Sequence, residues 1–246
     1  MPTYHSNKIA LVTGATRGIG YETVRQLATQ GVHVLLAGRD RTKAVEAALK
    51  LQAEGLPVEA VALDVTKSAS IAAAADEIEK RHGRLDILVN NAGIARDDSS
   101  RPRSQQSLQT WRETFDTNLF GLIETTQALL PLLRKAPVAR IVNVSSALGS
   151  LGLTSDISTP YSTVPVPAYN VSKSAVNAWT VQLAHELRDS SIKVNTVHPG
   201  YVKTDMNKGE GELEIAQGAE TSVQMALIGA DGPNGSFQYR GAVLPW

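Results

Sequence analysis

Several residue types are rare or absent in this chain of 246 residues, and each absence excludes a class of function. Cysteine is absent, which excludes disulfides, thiolate metal sites and a cysteine nucleophile and fits a reducing compartment. Aromatic residues make up only 5% and are not grouped with basic residues, so we predict no nucleic-acid platform. The five histidines show no spacing typical of metal ligands, and we predict no metal site.

Net charge and long apolar runs are also lacking. The formal charge is zero, with 24 basic and 24 acidic residues, so no broad basic field attracts nucleic acid or an anionic membrane. No apolar run approaches the roughly 20 residues needed to cross a bilayer. The polar residues 1–8 lack the apolar core of a secretory signal. We therefore expect a cytoplasmic protein whose partners are small molecules.

What the sequence does contain is an alternation of short β-branched runs with longer stretches of helical period. Strands are predicted at residues 9–13, 32–37, 58–63, 87–90, 139–145 and 192–198. Helices are predicted at residues 18–30, 41–54, 67–81, 107–134, 168–189 and 212–227. Because several strands are apolar on both faces, we predict one α/β domain, residues 1–246, built on a doubly wound parallel sheet flanked by helices.

Two segments at the carboxyl ends of strands stand apart from this alternation. Residues 147–167 contain three prolines and read as a long loop, and residues 203–213 read as a mobile surface segment. Doubly wound folds place ligands at this edge of the sheet, so residues 147–167 and 201–222 are predicted to line a substrate pocket. The first segment supplies mainly apolar side chains with only Asp156 charged, which favours an apolar substrate.

The first predicted strand leads into a glycine-rich turn of sequence TGATRGIG, residues 13–20, and then into a helix. Glycines let the backbone approach a pyrophosphate closely, while the N–H groups and dipole of the helix attract its negative charge. The position after the first strand favours a dinucleotide site over tight packing alone. The predicted contacts in this turn are Gly14, Thr16, Arg17, Gly18, Ile19 and Gly20.

Arg39 follows the second predicted strand, at the place where dinucleotide-binding folds choose between two cofactors. An acidic residue there binds the ribose 2′-hydroxyl, whereas an arginine accepts a 2′-phosphate. Arg17 is placed to close on the same phosphate. The sequence therefore favours NADPH/NADP+, while Asp40, one position on, leaves the use of NADH open.

Two further strand ends supply candidate cofactor contacts. Asp64 and Val65 follow the third strand, where a carboxylate suits the adenine amino group, although Asp64 or Thr66 could instead cap the next helix. Residues 90–93, of sequence NNAG, end the fourth strand. An amide pair there is first expected to tie neighbouring loops together, with cofactor contact through the backbone. The predicted contacts are Asn91, Ala92 and Gly93.

Tyr169 and Lys173 begin a helical pattern, and positions four apart project from the same face of a helix. A free tyrosine has a pKa near 10, and an adjacent ammonium group favours the phenolate and lowers that value. The competing tyrosine, Tyr161, has Pro165 four positions on and so lacks the cation. A serine hydroxyl arrives at the same edge from the strand ending NVSS, residues 143–146.

Asn118 lies within a long apolar helix pattern, where a buried amide must find partners. A satisfied structural amide is the alternative to a catalytic role.

Taken together, these segments resemble the short-chain dehydrogenase/reductase family, in the family's order and over nearly the whole chain. Within it the chain looks closest to the NADPH-dependent carbonyl reductases, through residues 37–40, 51–56 and 199–206. The matching motifs are the TGxxxGxG turn at residues 13–20, NNAG at residues 90–93, the helix asparagine Asn118, the serine Ser146, YxxxK at Tyr169 and Lys173, and PG at Pro199 and Gly200.

The resemblance implies a Rossmann-type fold and a mechanism of carbonyl reduction. Tyr169 would donate a proton to the carbonyl oxygen as hydride arrives from the nicotinamide, and Ser146 would hydrogen-bond that oxygen. Lys173 would lower the tyrosine pKa and hold the nicotinamide ribose, and Asn118 would position a water in the proton path. If the register is off by one, Ser145 takes the serine role. The implied cofactor contacts also include Tyr169, Lys173, Pro199, Gly200, Val202 and Thr204.

The chain departs from the usual family pattern in one place. Ser146 and Tyr169 are 23 positions apart, a longer spacing than in most members and a shorter one than in the monomeric carbonyl reductases. The spacing therefore leaves monomer or homo-oligomer undecided. Two other functions stay open: oxidation of an alcohol in the reverse direction, and a non-catalytic NADPH-binding regulator. An intact set of four catalytic residues argues against the regulator.

Overall fold

A computed structural model describes residues 8–246 of the chain. Residues 1–7 lie outside the described part, so the interpretation of residues 1–8 as lacking a secretory signal stays a sequence prediction. The strands, in chain order, are β1 Ile9–Val12, β2 His33–Gly38, β3 Val58–Ala62, β4 Ile87–Asn90, β5 Ala139–Val144, β6 Ile192–Val197, β7 Phe237–Tyr239 and β8 Ala242–Val243. The α-helices are α1 Gly18–Thr29, α2 Arg41–Ala53, α3 Ser68–His82, α4 Leu108–Phe115, α5 Gly121–Arg134, α6 Leu151–Ser155, α7 Pro167–Glu186 and α8 Ile215–Ala226.

The strands form a single sheet in the order β3-β2-β1-β4-β5-β6-β7-β8. Neighbouring strands pair in parallel except for β7 and β8, which are antiparallel. The chain order reverses at β1, which pairs with β2 on one side and β4 on the other. A crevice forms at the carboxyl ends of the strands at such a reversal, and this is where ligands bind in doubly wound sheets. The predicted fold class is confirmed, with β8 as an antiparallel edge strand.

Alternate residues of each central strand enter two separate cores, one on each face of the sheet. Ala10 and Val12 of β1 pack with residues of α1, α2 and α8, whereas Leu11 packs with residues of α3, α5 and α7. Successive strand residues point to opposite faces, so a strand covered on both sides must be apolar at every position. This requirement explains the continuous apolar runs in the sequence.

The structure corrects three details of the sequence prediction. The helix predicted at residues 107–134 is divided into α4, a π-helical turn at Asp116–Phe120 and α5. The loop predicted at residues 147–167 contains α6 and 3₁₀ turns at Ala147–Gly149 and Pro160–Thr163. Strands β7 and β8 were not predicted, because runs of 3 and 2 residues are too short to show a period.

The charged segment at residues 203–213 is closed at its base by backbone contacts. Val202 and Leu213 form a parallel bridge, and the Lys203 N–H donates to the Leu213 carbonyl at 3.0 Å. The loop therefore leaves and re-enters the fold at one point beside α8. Among residues 8–246, no helix is both long and apolar enough to span a membrane.

Candidate active site

Tyr169, Lys173 and Ser146 lie together beyond the carboxyl end of β5. Tyr169 and Lys173 occupy the first two turns of α7, and the Lys173 Nζ lies 5.7 Å from the centroid of the Tyr169 ring. Ser146 lies two residues after the end of β5 and is hydrogen-bonded to the Tyr169 side chain. The Lys173 Nζ also donates to the Val144 carbonyl at 2.8 Å, so the ammonium group is fixed to the end of the strand. The three side chains named by the sequence are thus brought to one place.

The two neighbouring serines have different surroundings. The Ser145 Oγ donates to the Lys173 carbonyl at 3.2 Å and is buried, so it fastens β5 to α7. The Ser146 Oγ accepts a hydrogen bond from the Leu148 N–H at 3.2 Å, which leaves its own proton free for another acceptor. Ser146 is therefore the serine that contacts Tyr169, and its catalytic role stays a prediction.

Burial governs the electrostatics of this pair. It raises the pKa of Tyr169 to about 12, and the hydrogen bond from Ser146 only partly opposes this effect. Burial also lowers the pKa of Lys173 to about 8. The sequence predicted a lowered tyrosine pKa. The structure shows the opposite direction because the protein interior disfavours both the phenolate and the ammonium ion, and the ammonium proton is directed at the Val144 carbonyl.

Asn118 is fully buried in the π-helical turn, and both atoms of its side-chain amide are hydrogen-bonded. Its Oδ1 accepts from the Ile94 N–H at 2.8 Å, while its Nδ2 donates to the Ile94 carbonyl at 2.9 Å and to the Ser172 Oγ at 3.0 Å. The amide thus joins the loop after β4 to α7. These contacts are those of a structural amide, and the catalytic role of Asn118 stays a prediction.

Gly93 lies between the side chains of Asn118 and Lys173 of α7. A Cβ atom built on Gly93 would lie 3.5 Å from both the Asn118 Oδ1 and the Lys173 Nζ. The NNAG segment therefore borders the space occupied by the candidate catalytic residues, at the place where the sequence predicted a backbone contact with the cofactor.

Asp97 is a site residue that the sequence reasoning missed. Its Oδ1 accepts a hydrogen bond from the Ala168 N–H at 2.8 Å, and its Oδ2 accepts one from the Tyr169 N–H at 3.0 Å. Helix α7 has Val166 at its N-cap and no capping side chain of its own. The only available signal was an acid in the segment after NNAG, and spacing along the chain could not link it to a helix 71 positions away.

His198 also supports the site from a position the sequence left unassigned. Its Nδ1 accepts a hydrogen bond from the Ala147 N–H at 3.2 Å, and burial lowers its pKa to about 4. The imidazole is therefore neutral near pH 7 and able to accept this bond. It fixes the backbone immediately after Ser146.

The glycine-rich turn is shaped for a close approach of an anion. Gly14 has φ +62°, and a Cβ there would lie 2.8 Å from the Ala92 Cα, while a Cβ on Gly20 would lie 2.4 Å from the Asn91 Nδ2. Gly18, with φ +59°, has no atom within 4 Å of its Cβ position, so it faces open space. Helix α1 starts there without a side-chain cap. Its free N–H groups and open cradle fit a pyrophosphate.

The NNAG segment is tied to this turn. The Thr13 Oγ1 accepts from the N–H groups of Asn91 and Ala92 at 3.0 and 3.1 Å, and the Asn91 Nδ2 donates to the carbonyls of Thr13 and Gly14. The expected structural role of the amide is therefore present. Thr16 packs against Gly38, where a Cβ would lie 2.4 Å from the threonine methyl, so the turn also contacts the end of β2.

The residues expected to select the cofactor differ in what they bind. Arg39 is exposed and makes no ion pair with any residue between positions 8 and 246. The Asp40 Oδ1 accepts from the Lys43 N–H at 3.1 Å and caps α2. Asp40, the acidic residue that left the use of NADH open, is therefore the N-cap of α2. Arg17 forms an exposed ion pair with Asp205 at 2.7 Å, which links the glycine-rich turn to the loop after β6.

Asp64 is engaged in a turn rather than at a helix N-cap. Its Oδ1 accepts from the backbone N–H and the hydroxyl of Thr66 at 3.1 and 2.7 Å. Burial acts to raise the pKa of Asp64, but hydrogen bonds from Thr66 and the charge of Lys67 outweigh it and lower the pKa. The N-cap of α3 is Lys67, so neither capping alternative from the sequence is correct. Val65 is buried in the core beneath α3 and α5.

The predicted cofactor contacts after β6 lie in the loop that leads to α8. Gly200 has φ +90°, and a Cβ there would lie 2.4 Å from the Leu213 side chain, so the PG turn after Pro199 requires glycine. Val202 is buried, and its side chain lies close to Gly218 of α8. The Thr204 N–H donates to the Asn207 Oδ1 at 3.0 Å, which begins a 3₁₀ turn.

The comparison with protein families identifies this fold and motif set. A family model described as short chain dehydrogenase matches residues 8–214. The chain belongs to this family of oxidoreductases. The prediction made from the motifs is therefore confirmed.

Known proteins of similar sequence and structure share most of the chain's length. A short-chain dehydrogenase/reductase from Saponaria officinalis is 36% identical, with 97% of this chain and 96% of the relative covered. A mouse carbonyl reductase named for NADPH is 35% identical, with coverage of 98% and 99%. A solved structure of NADPH-bound carbonyl reductase from chicken fatty liver has a TM-score of 0.83 at 29% identity, covering 97% and 99%. The resemblance to carbonyl reductases is thus confirmed.

Proposed function

We propose that this enzyme reduces a ketone or aldehyde with NADPH and that Tyr169 donates the proton. The observation that carries the proposal is the contact of the Tyr169 side chain with Ser146, with the Lys173 Nζ 5.7 Å from the tyrosine ring. A proton donor, a second hydroxyl and a cation thus lie at one point beyond the sheet edge.

NADP(H) as the cofactor is confirmed at the level of the family, since carbonyl reductases of similar sequence and structure are named for NADPH. When bound, NADPH supplies a hydride to the carbonyl carbon. In this chain the open cradle at Gly18 and the uncapped start of α1 suit the pyrophosphate. Arg39, exposed and without an ion pair among the described residues, suits the 2′-phosphate, and Arg17 can join it by leaving Asp205.

The proton step follows from the state of Tyr169. Its pKa of about 12 keeps the phenol protonated throughout the neutral range, which is the form needed to donate a proton to the carbonyl oxygen. The Ser146 hydroxyl would turn its proton from Tyr169 to the same oxygen and stabilise its developing charge. The phenolate that remains lies near the Lys173 ammonium group. This positive charge stabilises the phenolate and so favours proton transfer to the substrate. Hydride on carbon and a proton on oxygen together give the alcohol.

Proton return to Tyr169 is assigned to a path past Asn118. The Asn118 side chain is hydrogen-bonded to Ile94 and Ser172, and we assign the water of this path to the backbone carbonyl of Asn118. The π-helical turn supports this assignment because the Gly121 N–H donates to Asp116, five positions back, which disturbs the regular pairing of carbonyls in this turn.

An apolar carbonyl compound is the proposed substrate. Leu151 and Ile157 in the segment between Ser146 and Tyr169 are 68% and 91% exposed, and Tyr201 and Met206 after β6 are 52% and 51% exposed. Large apolar side chains are usually withdrawn from water, so their exposure in both predicted pocket segments favours contact with an apolar ligand. The cytoplasmic location and the choice between monomer and homo-oligomer stay open predictions.

The test of the proposal is turnover by a Tyr169→Phe variant. NADPH absorbance is followed against a panel of apolar ketones and aldehydes, and NADPH binding is measured separately by fluorescence. We expect kcat to fall by about 10³-fold or more, as for loss of a general acid and its contacts, with NADPH affinity nearly unchanged. Tyr21→Phe, which removes a hydroxyl from α1 outside the site, is the control.

A Ser146→Ala variant should lose about 10²-fold in kcat because one hydrogen bond to the oxyanion is removed. Ser145→Ala should instead lower stability through the lost bond to the Lys173 carbonyl. Full activity in Tyr169→Phe, or activity lost in Tyr161→Phe alone, would show that the proton comes from elsewhere.

A further inference from the structure

Two histidines that are far apart in the sequence meet at the edge of the sheet opposite to the active site. His33 is the first residue of β2 and His82 the last residue of α3. Glu59 of β3 lies beside them. One ligand atom from each residue can be chosen so that all three atoms lie within 4.8 Å of one another. Sequence spacing gave no sign of this group, because the fold brings together three separate elements.

The register of the sheet explains why the three side chains share one face. Glu59 pairs with Leu35 of β2, and His33 lies two positions before Leu35, so His33 and Glu59 point to the same side. That side is the one covered by α3, since Leu35 packs with Ala74 and Ile78 of that helix. The last turn of α3 therefore places His82 over the strand residues.

The Nε2 atoms of the two rings are poorly satisfied within residues 8–246. The His33 Nε2 lies 2.9 Å from the Glu59 Oε1 and the His82 Nε2 lies 3.6 Å from the Glu59 Oε2, yet both nitrogens are buried and neither has a hydrogen-bond partner of good geometry. Buried polar atoms without partners are uncommon and call for an explanation.

We propose that His33, Glu59 and His82 form a zinc site that clamps β2, β3 and α3 together. Two imidazoles and one carboxylate are a common ligand set for Zn²⁺, with water in the fourth position. Tetrahedral coordination with bonds of about 2.1 Å places ligand atoms about 3.4 Å apart. Because the three atoms lie within 4.8 Å of one another, shifts of about an ångström would bring them to this geometry.

Arg81 is the group that opposes a cation here. Its guanidinium is hydrogen-bonded to the Glu59 Oε2, but it also pairs with the Glu77 Oε1 at 3.0 Å. Zinc can therefore bind the Glu59 Oε1 while Arg81 keeps the other oxygen, as an outer partner that orients a ligand carboxylate. If Arg81 instead leaves, Glu77 still neutralises it. Glu59 and Glu77 thus offset the repulsion between Arg81 and a bound zinc ion.

The test is calorimetric titration of the metal-stripped, untagged chain with ZnCl₂. We expect about one zinc ion per chain and a rise in Tm of about 5 °C or more when zinc is in hundredfold excess over its Kd. His82→Ala should weaken binding at least tenfold and remove the shift in Tm. His185→Ala, which deletes an exposed histidine on α7, should bind zinc like the native chain.

Two further outcomes keep the proposal falsifiable. If His82→Ala does not fold, Glu59→Gln keeps the shape of the side chain and should show the same weakened binding. Zinc binding that is absent from the native chain, or equal in the native, His82→Ala and Glu59→Gln proteins, would overturn the proposal.

Discussion

The carboxylate of Asp97 accepts a hydrogen bond from the backbone N–H of Tyr169 at 3.0 Å. Its second oxygen binds the N–H of Ala168 at 2.8 Å. Pro167, the first residue of α7, has no N–H, so these are the first two donors of the helix. An acid in the loop after β4 thus acts as the missing cap of the helix that carries the candidate proton donor. Tyr169 is positioned by a residue outside its own helix.

Replacement of Asp97 by alanine should therefore reduce turnover as well as stability. We expect kcat to fall about tenfold with little change in the KM for NADPH, because the start of α7 shifts while the cofactor turn does not. Loss of a cap should cost about 1 kcal/mol in the free energy of unfolding. Asp97→Asn keeps an acceptor for one N–H, so its kcat and stability should lie between those of the native protein and Asp97→Ala.

Asp98 provides the matched control, since among residues 8–246 its carboxylate bonds only to Ser100 and Arg101 in its own loop. Asp98→Asn should keep the native kcat. If Asp97→Ala is less stable but turns over at the native rate, Asp97 supports the fold and does not position Tyr169.

The second prediction concerns the choice of cofactor. Arg39→Asp should lower the ratio of kcat/KM for NADPH to that for NADH by about 10- to 100-fold, since a hydrogen bond to a charged group contributes about 1.5–3 kcal/mol. The new acid would also repel a 2′-phosphate. Initial rates with each cofactor at a fixed carbonyl concentration give the ratio directly.

Arg41→Asp is the control for this change, because Arg41 is also exposed and lies two positions on, at the start of α2. It should leave the ratio unchanged. An unchanged ratio in Arg39→Asp as well would remove Arg39 from the selection of the cofactor.

Most of the fold could be predicted from local sequence patterns, because each pattern indicates a strand or helix that is covered by other elements. The apolar runs of β1 and β5 require helices on both sides, and the glycine-rich turn requires a helix to follow. The sequence also placed Tyr169, Lys173 and Ser146 at the same sheet edge, since parallel strands end together. Short elements such as β7 were missed because their position depends on pairing with β6.

Contacts between distant segments could not be predicted in the same way. Asp97 and α7, or His33 and His82, meet only once the sheet order and the helix packing are fixed. The direction of the Tyr169 pKa is a further example. The spacing of Tyr169 and Lys173 suggests a stabilised phenolate, but the pKa depends on burial, which no local pattern measures.

The last prediction is the pH dependence of carbonyl reduction. Reduction needs a protonated Tyr169, and a pKa of about 12 keeps it protonated below that pH. Lys173, whose pKa is lowered to about 8, loses its positive charge first as the pH rises. Its ammonium group helps to form the phenolate, so kcat/KM should be level between about pH 6 and 7 and fall as the pH passes about 8.

Profiles of kcat/KM against pH distinguish the two groups because this quantity reports the ionisations of the free enzyme. A fall that begins near pH 6 would mean that the tyrosine pKa is lowered, as the spacing of Tyr169 and Lys173 alone suggests. A level profile up to about pH 10 would mean that the charge of Lys173 is not needed for proton donation. Only a fall centred near pH 8 agrees with a buried lysine that titrates before a buried tyrosine.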